Sequence, residues 1–297
     1  VQATLPLSIA IPTYRRDAVL ISTIDYLLAL QPRAAEILLL DQTESHSHDT
    51  ESRLHVLAES GLIRWLRLPV PSIPAAMNKG LRHAVQDVVL FVDDDVRPEP
   101  DLLRAHVAAQ QAHPDGLVAG RVIQPWQEGI DFSADGPFHF AATRPALIGE
   151  FMGGNFSIRK DVALRLGGFD ENFVRVAYRF EAEFARRYTT DGRQIRFEPS
   201  ACLHHLKELE GGTRSFGEHL TTWRPDHAVG AYYYALRTGS FREFLVRPCR
   251  AAATRYHLRH PWRIPVTLLA ELGGMLWALG LFMRGPKHLK STENDTA

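Results

Sequence analysis

For its first 125 residues the chain alternates short, nearly uninterrupted apolar runs with longer stretches in which apolar residues recur every three or four positions. Uninterrupted runs fit strands covered on both faces, and the longer stretches fit the helices that cover them. The pattern predicts strands at 7–11, 36–40, 63–68, 88–92 and 117–122, with helices at 17–30, 50–60, 75–85 and 100–113 between them. Strand and helix in alternation give an α/β fold, a mainly parallel sheet with helices on both faces. In such sheets ligands bind beyond the carboxyl ends of the strands. The chain places Pro12-Thr13-Tyr14-Arg15, Asp41-Gln42-Thr43 and Asp93-Asp94-Asp95 there, so a polar site is expected at that edge.

Past Pro125 the alternation stops, and glycine and aromatic residues crowd positions 129–154. Two helices, 160–166 and 178–188, and a strand, 194–203, are predicted beyond. From Phe216 onward the chain reads as helical, broken at Arg247-Pro248 and His260-Pro261 because proline interrupts the backbone ladder. The boundary falls near Gly212, dividing residues 1–212, with halves at about 1–125 and 126–212, from a helical segment 213–297.

At 297 residues, 45% hydrophobic and 23% charged, without repeats or low-complexity runs, the chain can build a full core, which sets disorder aside. Cys202 and Cys249 make neither a disulfide framework nor a metal cluster, and a reducing, cytoplasmic setting is expected. The opening Val1-Gln2-Ala3-Thr4-Leu5-Pro6 has neither the basic region nor the apolar run of a secretory signal. Net charge is zero, yet between Arg237 and Lys290 ten Lys/Arg face only Glu243 and Glu271, a net +8 that leaves −8 on the remainder. A basic end beside an apolar segment favours a membrane surface over nucleic acid as partner, the plain alternative being a solvated basic face.

Asp93-Asp94-Asp95 follows the apolar run ending Phe91-Val92, where like charges repel and desolvation is costly unless a cation is shared. Carboxylates suit Mg2+ or Mn2+, ions that keep several waters and bind substrate phosphates, so a diphosphate-bearing substrate is the natural reading. A solvated acidic turn is the alternative. Phosphatases of haloacid-dehalogenase type also carry Asp-x-Asp after a strand, but after the first one, and they want Thr or Val where Arg97 stands.

In order along the chain, these segments resemble the family-2 inverting glycosyltransferases of GT-A fold. The resemblance is carried by Ile9-Ala10-Ile11-Pro12-Thr13-Tyr14-Arg15-Arg16, by Asp41, by Ile73-Pro74-Ala75-Ala76-Met77-Asn78-Lys79-Gly80 and by 91–95. It continues through Phe151-Met152-Gly153-Gly154-Asn155-Phe156, Leu166-Gly167-Gly168-Phe169-Asp170-Glu171, Phe180-Glu181-Ala182-Glu183, 199–206 and Gly211-Gly212-Thr213-Arg214. The resemblance implies a nucleoside-diphosphate sugar donor met by Pro12, Thr13, Tyr14, Arg15, Asp41, Asn78, Lys79, Asp93, Asp94, Gly154, Asn155 and Arg214. Asp41 would accept a hydrogen bond from a pyrimidine base, Asp93 would contact the ribose, and Asp95 would bind the metal with Asp93 and His205. Glu181 would be the general base. The departures are Gln42-Thr43 after Asp41, Glu181 where Asp is usual, and Met77 where an Arg often precedes the Asn, which leaves Lys79 or Arg214 for the phosphates.

Plainer readings stand beside these. Phe180 and Phe184 recur four apart and face the core, so Glu183 can simply pair with Arg186 or Arg187 on the surface. Adjacent strand residues point to opposite faces, so with Ala201 and Leu203 inward His205 is inward too, as a ligand or a hydrogen-bonded core histidine, and His204 is not. Gly153-Gly154 lets backbone approach a sugar or makes a tight turn, and 211–214 is a closing segment or a linker.

Positions 266–283 hold one charge, Glu271, and at ~1.5 Å per residue span roughly 27 Å, short for a bilayer core. With Trp262 and Trp277 near Arg263 and Arg284, an interfacial helix or one packed between subunits of a homodimer is expected. The whole reads as a hexose-transferring enzyme acting on a hydroxyl of a lipid-linked or polysaccharide acceptor, peripheral at the cytoplasmic membrane face. A sugar-nucleotide nucleotidyltransferase would need a glycine-rich loop that 12–16 lacks, and a catalytically silent binding subunit would not need the carboxylates.

Overall fold

The computed structural model describes residues 4–132 and 136–290. Residues 1–3, 133–135 and 291–297, which belong to the opening stretch, the 126–212 half and the tail of the sequence reading, lie outside the described residues. One sheet of nine strands organises the chain. β1 (Leu5–Thr13), β2 (Ala34–Asp41), β3 (Arg64–Arg67) and β4 (Val88–Val92) lie parallel in the order β3-β2-β1-β4. The order continues with β8 (Asn155–Arg159), β6 (Leu117–Ile123), β9 (Ile195–His205) and β5 (Val96–Pro98), and β7 (Ala146–Ile148) joins β9. β8 runs antiparallel to both β4 and β6, and β6 lies parallel to β9.

Period-two alternation explains why both faces are covered. Leu7, Ile9 and Ile11 of β1 face α1 (Ala18–Ala29), α2 (His48–Glu59) and α4 (Leu102–Ala112) through Leu20, Ile24, Leu54, Leu57, Leu102 and Leu103. Ala10, Leu38, Leu40 and Phe91 face the other way, toward α3 (Ile73–His83), α5 (Lys160–Arg165) and α6 (Phe180–Thr190) through Met77, Leu81, Val162, Phe180 and Phe184. The same core takes in Val229, Tyr232 and Tyr233 of α7 (Val229–Arg237) and Ala278 and Leu281 of α10 (Ile264–Met283), so residues well past Gly212 complete it. Between them lie α8 (Phe241–Ala252) and α9 (Arg255–Arg259).

Two local expectations need correction. The break at Arg247-Pro248 does not occur: α8 runs through Pro248, and since it has no buried residue, water can satisfy the carbonyl that proline leaves free. The chain breaks instead at Gly239 (φ 69°), before α9, where Thr254 caps the helix, and at Pro261 as expected. β8 has no clear apolar signature, because Asn155 and Ser157 occupy buried positions on the face toward α4. There His106 bonds Ser157 Oγ and Asn155 Oδ1, both at 2.9 Å, and Gln110 donates to the Ser157 carbonyl at 3.0 Å.

Asn155 also donates to the carbonyls of Arg121 and Ala201 at 2.9 Å, tying β8 to β6 and β9 from a fully buried position. Asn155→Ala would remove the donor to both carbonyls and leave His106 Nε2 without its partner. It should lower the unfolding free energy by about 2–4 kcal/mol in urea denaturation, whereas a surface Asn→Ala change should alter it by less than about 0.5.

Candidate active site

The carboxyl ends of β1, β2 and β4 open into a cleft lined by Pro12, Thr13, Tyr14, Arg16, Gln42, Pro71–Ile73, Met77, Asp93–Asp95, Arg175, His205, Gly212–Arg214 and Phe216. The acidic triplet lies on the turn between β4 and the short β5, and its three carboxylates have separate partners. Asp94 is buried, accepts a 2.6 Å hydrogen bond from Thr13 and faces Arg16 Nε at 3.4 Å. Burial pushes its carboxyl up to about 7 against the pull of Arg16.

Asp95 is buried too. Its Oδ2 accepts from Glu208 N at 2.9 Å and lies 3.4 Å from Arg16 NH2, while Oδ1 is 3.1 Å from His205 Nε2. Burial acts against ionisation, but the His205 hydrogen bond and the positive charges hold Asp95 below the usual carboxylate range. Asp93 turns toward the cleft 3.8 Å from His205 Nε2, and the protein packed around its carboxyl, with Asp95 beside it, pushes it upward against the pull of His205.

Asp93, Asp95 and His205 each offer one ligand atom, and these atoms all lie within 4.8 Å of one another. Two hard carboxylate oxygens with an imidazole nitrogen, open on the cleft side, suit an octahedral divalent cation that keeps water or phosphate ligands. His205 Nδ1 faces Gln124 Oε1 at 3.2 Å and Nε2 faces Asp95, so both ring nitrogens donate and the two acids favour the charged imidazole; release of the Nε2 proton frees that nitrogen as a ligand. His204 turns away to Glu99 at 2.8 Å.

Glu181 opens α6; it is not among the lining residues of the cleft but approaches it at Gly153, beside Met77. A Cβ on Gly153 would sit 3.0 Å from Glu181 Oε1 and 3.4 Å from Met77 Cε, and one on Gly154 would fall 2.1 Å from Asp93 Oδ2. At Gly154 only glycine avoids Asp93, and at Gly153 a side chain would press on Glu181. Burial pushes the Glu181 carboxyl up to about 7, Asp93 and Glu150 raising it further while the Gly153 N–H opposes. The loop before α6 holds three non-glycine residues in the left-handed region, Arg175 (φ 62°), Ala177 (φ 53°) and Arg179 (φ 76°). Such backbone costs about 1–3 kcal/mol per residue and persists where surrounding packing enforces it. Here Ala177 is buried, Arg179 pairs with Glu150 at 3.0 Å and Arg175 faces Asp226 at 3.6 Å.

Several residues from the sequence reading lie elsewhere. Arg15 turns outward to Glu44 at 3.0 Å, and the neighbouring Arg16 enters the cleft. Asp41 is fully buried, bonded to His46 at 3.0 Å, Trp65 Nε1 at 2.9 Å and Thr43 N at 2.9 Å, and Gln42 takes its place in the wall. Asn78 bonds both backbone groups of Phe169, at 2.8 and 2.9 Å, and Glu171 at 3.1 Å. Asn155 braces the sheet, and Lys79, half-buried, does not line the cleft. Glu183 pairs with Arg187 at 2.8 Å as expected, but inside the protein rather than on its surface. Glu183, Asp170 and His288 also cluster, but Asp170 already accepts from Asn172 N, Lys287 N and Tyr233, and Glu183 from Arg187 twice.

Pro12, Thr13, Tyr14, Asp93, Asp94, Asp95, His205 and Arg214 come together as the sequence suggested, with Gly154 against Asp93. Arg16, Gln42, Gln124, Arg175 and Phe216 join them. Arg16 carries the only signal that reading passed over, a second cation beside Arg15 in the first turn. Phe216 stacks on Tyr14 with ring centroids 6.4 Å apart, and Arg16 donates to the Glu210 carbonyl, so 206–217 roofs the cleft.

The sheet order and this cleft define a GT-A-type glycosyltransferase fold. Residues 8–167, more than half of the chain, match the profile of glycosyl transferase family 2, and the chain belongs to that family. It is similar to the glucosyl-dolichyl phosphate glucuronosyltransferase of Haloferax volcanii, 28% identical over 147 residues, 45% of this chain and 47% of that protein. The chain thus matches about half the length of this curated relative. Among solved structures it is similar to GalNAc-T7 with UDP, GalNAc and Mn2+ (TM-score 0.59, 15% identity, 80% of this chain and 52% of that one). It is also similar to the mannosyltransferase PcManGT from Pyrobaculum calidifontis in complex with GDP-Man and Mn2+ (TM-score 0.55, 18% identity, 95% and 80%). At these identities the likeness concerns the fold.

Arg16 is the buried cation nearest two buried carboxylates, so Arg16→Met should destabilise the protein strongly. The loss should approach about 3–5 kcal/mol at pH 8, and less at pH 6, where Asp94 takes up a proton instead. Asp94→Asn combined with Arg16→Met should recover part of it, as read by urea denaturation at the two pH values.

Proposed function

We propose that this glycosyltransferase moves a sugar from a nucleoside diphosphate to a hydroxyl of a lipid-linked or polysaccharide acceptor, with inversion. The observation that carries this reading is the placement of Glu181 and of Asp93, Asp95 and His205 on the two sides of one Gly153-Gly154 backbone. In it, residues 1–125 hold the donor together with His205 and Arg214, 126–212 meet the acceptor, and the helices of 213–297 serve the membrane side. The relatives support the donor class: one solved neighbour is a complex with UDP, GalNAc and Mn2+, the other with GDP-Man and Mn2+, and the Haloferax protein is named for a dolichyl phosphate-linked substrate.

Asp93, Asp95 and His205 would hold Mg2+ or Mn2+ against the diphosphate. When bound, the ion offsets the negative charge that gathers on the leaving diphosphate. Arg214, on the roof, is placed to bond phosphate oxygens in a forked geometry. Tyr14, Pro12, Gln42 and Ile73 offer the surfaces for the nucleoside. A pyrimidine base of UDP or dTDP type therefore has to be read by Gln42 and backbone groups, because Asp41 is engaged with His46 and Trp65.

Glu181 takes the proton of the acceptor hydroxyl as its oxygen forms a bond to the anomeric carbon. The bond from that carbon to the diphosphate oxygen breaks, and its electron pair leaves with the nucleotide. One base and no protein nucleophile gives inversion. A carboxyl near neutrality is well matched to this task, ionised enough to accept and basic enough to pull. The free thiols Cys202 and Cys249 fit a cytoplasmic setting, and a lipid-linked acceptor would place the enzyme at the inner membrane face.

Binding of UDP followed by titration calorimetry should weaken at least about tenfold in chelator and in Asp95→Ala, since the acidic pair otherwise repels the phosphates. Equal affinity in all three conditions would remove the metal from the proposal.

Glu181→Gln should keep donor binding and lose about 10²-fold or more in transfer. In the wild type the transfer rate should rise as pH climbs through about 7, as Glu181 loses its proton. A profile flat from acid to neutral pH, or a loss smaller than about fivefold, would move the base elsewhere.

A further inference from the structure

A helix that packs on a water-soluble body turns its apolar side chains inward. α10 does the reverse. Its inner face consists of Thr267, Ala270, Glu271, Gly274, Ala278 and Leu281, whereas Leu268, Leu269, Leu272, Leu276, Phe282 and Met283 are exposed, Leu269 to 67% and Leu276 to 62%. The spacing of these outer residues puts most of them on one stripe along a helix of about 30 Å. Contiguous apolar surface of this size on a folded protein marks a contact with something apolar.

We propose that the outer face of α10 is a docking surface for an anionic lipid bilayer, and that the helix lies in the plane of the interface. The charge pattern selects this occupant. Exposed Arg255 and Arg259 and the 66%-exposed Trp262 precede the stripe at its amino end, and exposed Arg284 and Lys290 follow its carboxyl end, with Lys287 between them paired to Glu171 at 2.9 Å. Tryptophan and basic side chains at the edges of an apolar face suit the headgroup layer of an anionic leaflet. The acids of this region are engaged elsewhere, Glu243 with Arg250 and Glu271 with Arg247 at 3.0 Å. Two copies of the same face would bring their cations together, which disfavours a symmetric dimer through it.

The inner face excludes a spanning orientation. A Cβ on Gly274 would lie 2.6 Å from Ala228 Cβ, and Glu271 accepts a 2.6 Å hydrogen bond from Tyr232, so the helix is held flat on the body. The inward flank of the same helix reaches the cleft. Trp277 of α10 meets the guanidinium of Arg175, a cleft residue, at 5.8 Å. Delivery of a lipid-linked acceptor to the cleft along this edge rests on the proposed reaction, but docking itself does not.

The test is flotation of the full chain with phosphatidylcholine vesicles, with and without phosphatidylglycerol. The wild type should float with anionic vesicles and lose part of that binding in high salt. L269S/L272S/L276S should reduce flotation at least about tenfold, and R255S/R259S/R284S should abolish the preference for phosphatidylglycerol. Both variants should bind UDP with Mn2+ as the wild type does, which separates a failure of docking from a failure of the proposed reaction. In the wild type, brominated lipid should quench Trp262 emission, and Trp262→Phe should lose that quenching. Absence of flotation, absence of quenching, flotation equal in the leucine variant, or resistance to both salt and alkaline carbonate would overturn the proposal. So would a wild-type dimer that ignores vesicles and becomes a monomer in the leucine variant.

Discussion

Three consecutive carboxylates at the end of a buried strand are the constraint around which the site is built. Left together they would repel one another and lose hydration at the same time, a combination that folding cannot tolerate without compensation. The chain compensates from three directions. Thr13 and Arg16, from the end of β1, hold Asp94; His205, from the end of β9, faces Asp95; and the 206–217 segment adds the backbone of Glu208. Elements distant in sequence are thereby drawn to one point, and Asp93 is left facing the cleft with an unmatched charge. The site's cation-seeking character is a residue of that partial compensation.

Arg16 has a double part in this arrangement. Its guanidinium neutralises buried carboxylates on one side and bonds the Glu210 carbonyl on the other, so the roof that carries Arg214 and Phe216 is fastened to the acidic turn. Gly212 N adds a 2.7 Å hydrogen bond to the Tyr14 carbonyl. Asp95 likewise serves two regions, one oxygen toward His205 and the other toward Glu208 and Arg16. Anything that changes charge at Asp95 therefore acts on both the ligand cluster and the roof.

How far the sequence reveals this depends on which physical signal each residue leaves. The strands β1, β2, β4 and β6 were legible because they are apolar on both faces. β8 was not, since its buried Asn155 and Ser157 are matched by His106 and Gln110 of α4, and a satisfied polar layer looks like a loop in one dimension. The acidic triplet and His205 were legible from charge and from strand alternation. Arg15 against Arg16 could not be settled, because the turn gives Arg15 a left-handed φ of 55° that swings it outward, and no local pattern announces that. The engagement of Asp41 with Trp65 and His46 was not legible, because those partners are separated from it along the chain. Its carboxylate is held below the usual range by them despite burial, the mark of a structural ion.

The tail is a further case in which chain order misleads. After α10 the backbone returns to the catalytic half: Lys287 N donates to Asp170 at 2.9 Å, Asn172 donates to the Gly285 carbonyl at 2.7 Å, and Leu289 N bonds the Gly167 carbonyl at 2.8 Å. Asp170 also accepts from Tyr233 of α7 at 2.7 Å, and Asn78 of α3 fixes Phe169 from the other side. The loop from Gly167 to Arg179, which ends in three left-handed residues and delivers Glu181, is thus clamped between α3, α7 and the strand of chain that leaves α10. Residues joined through one buried network do not respond independently to change. The tail after α10 and the loop that leads to Glu181 therefore share one packed network, and the segment past Gly212 reaches the cleft as well, through Thr213, Arg214 and Phe216 of its roof.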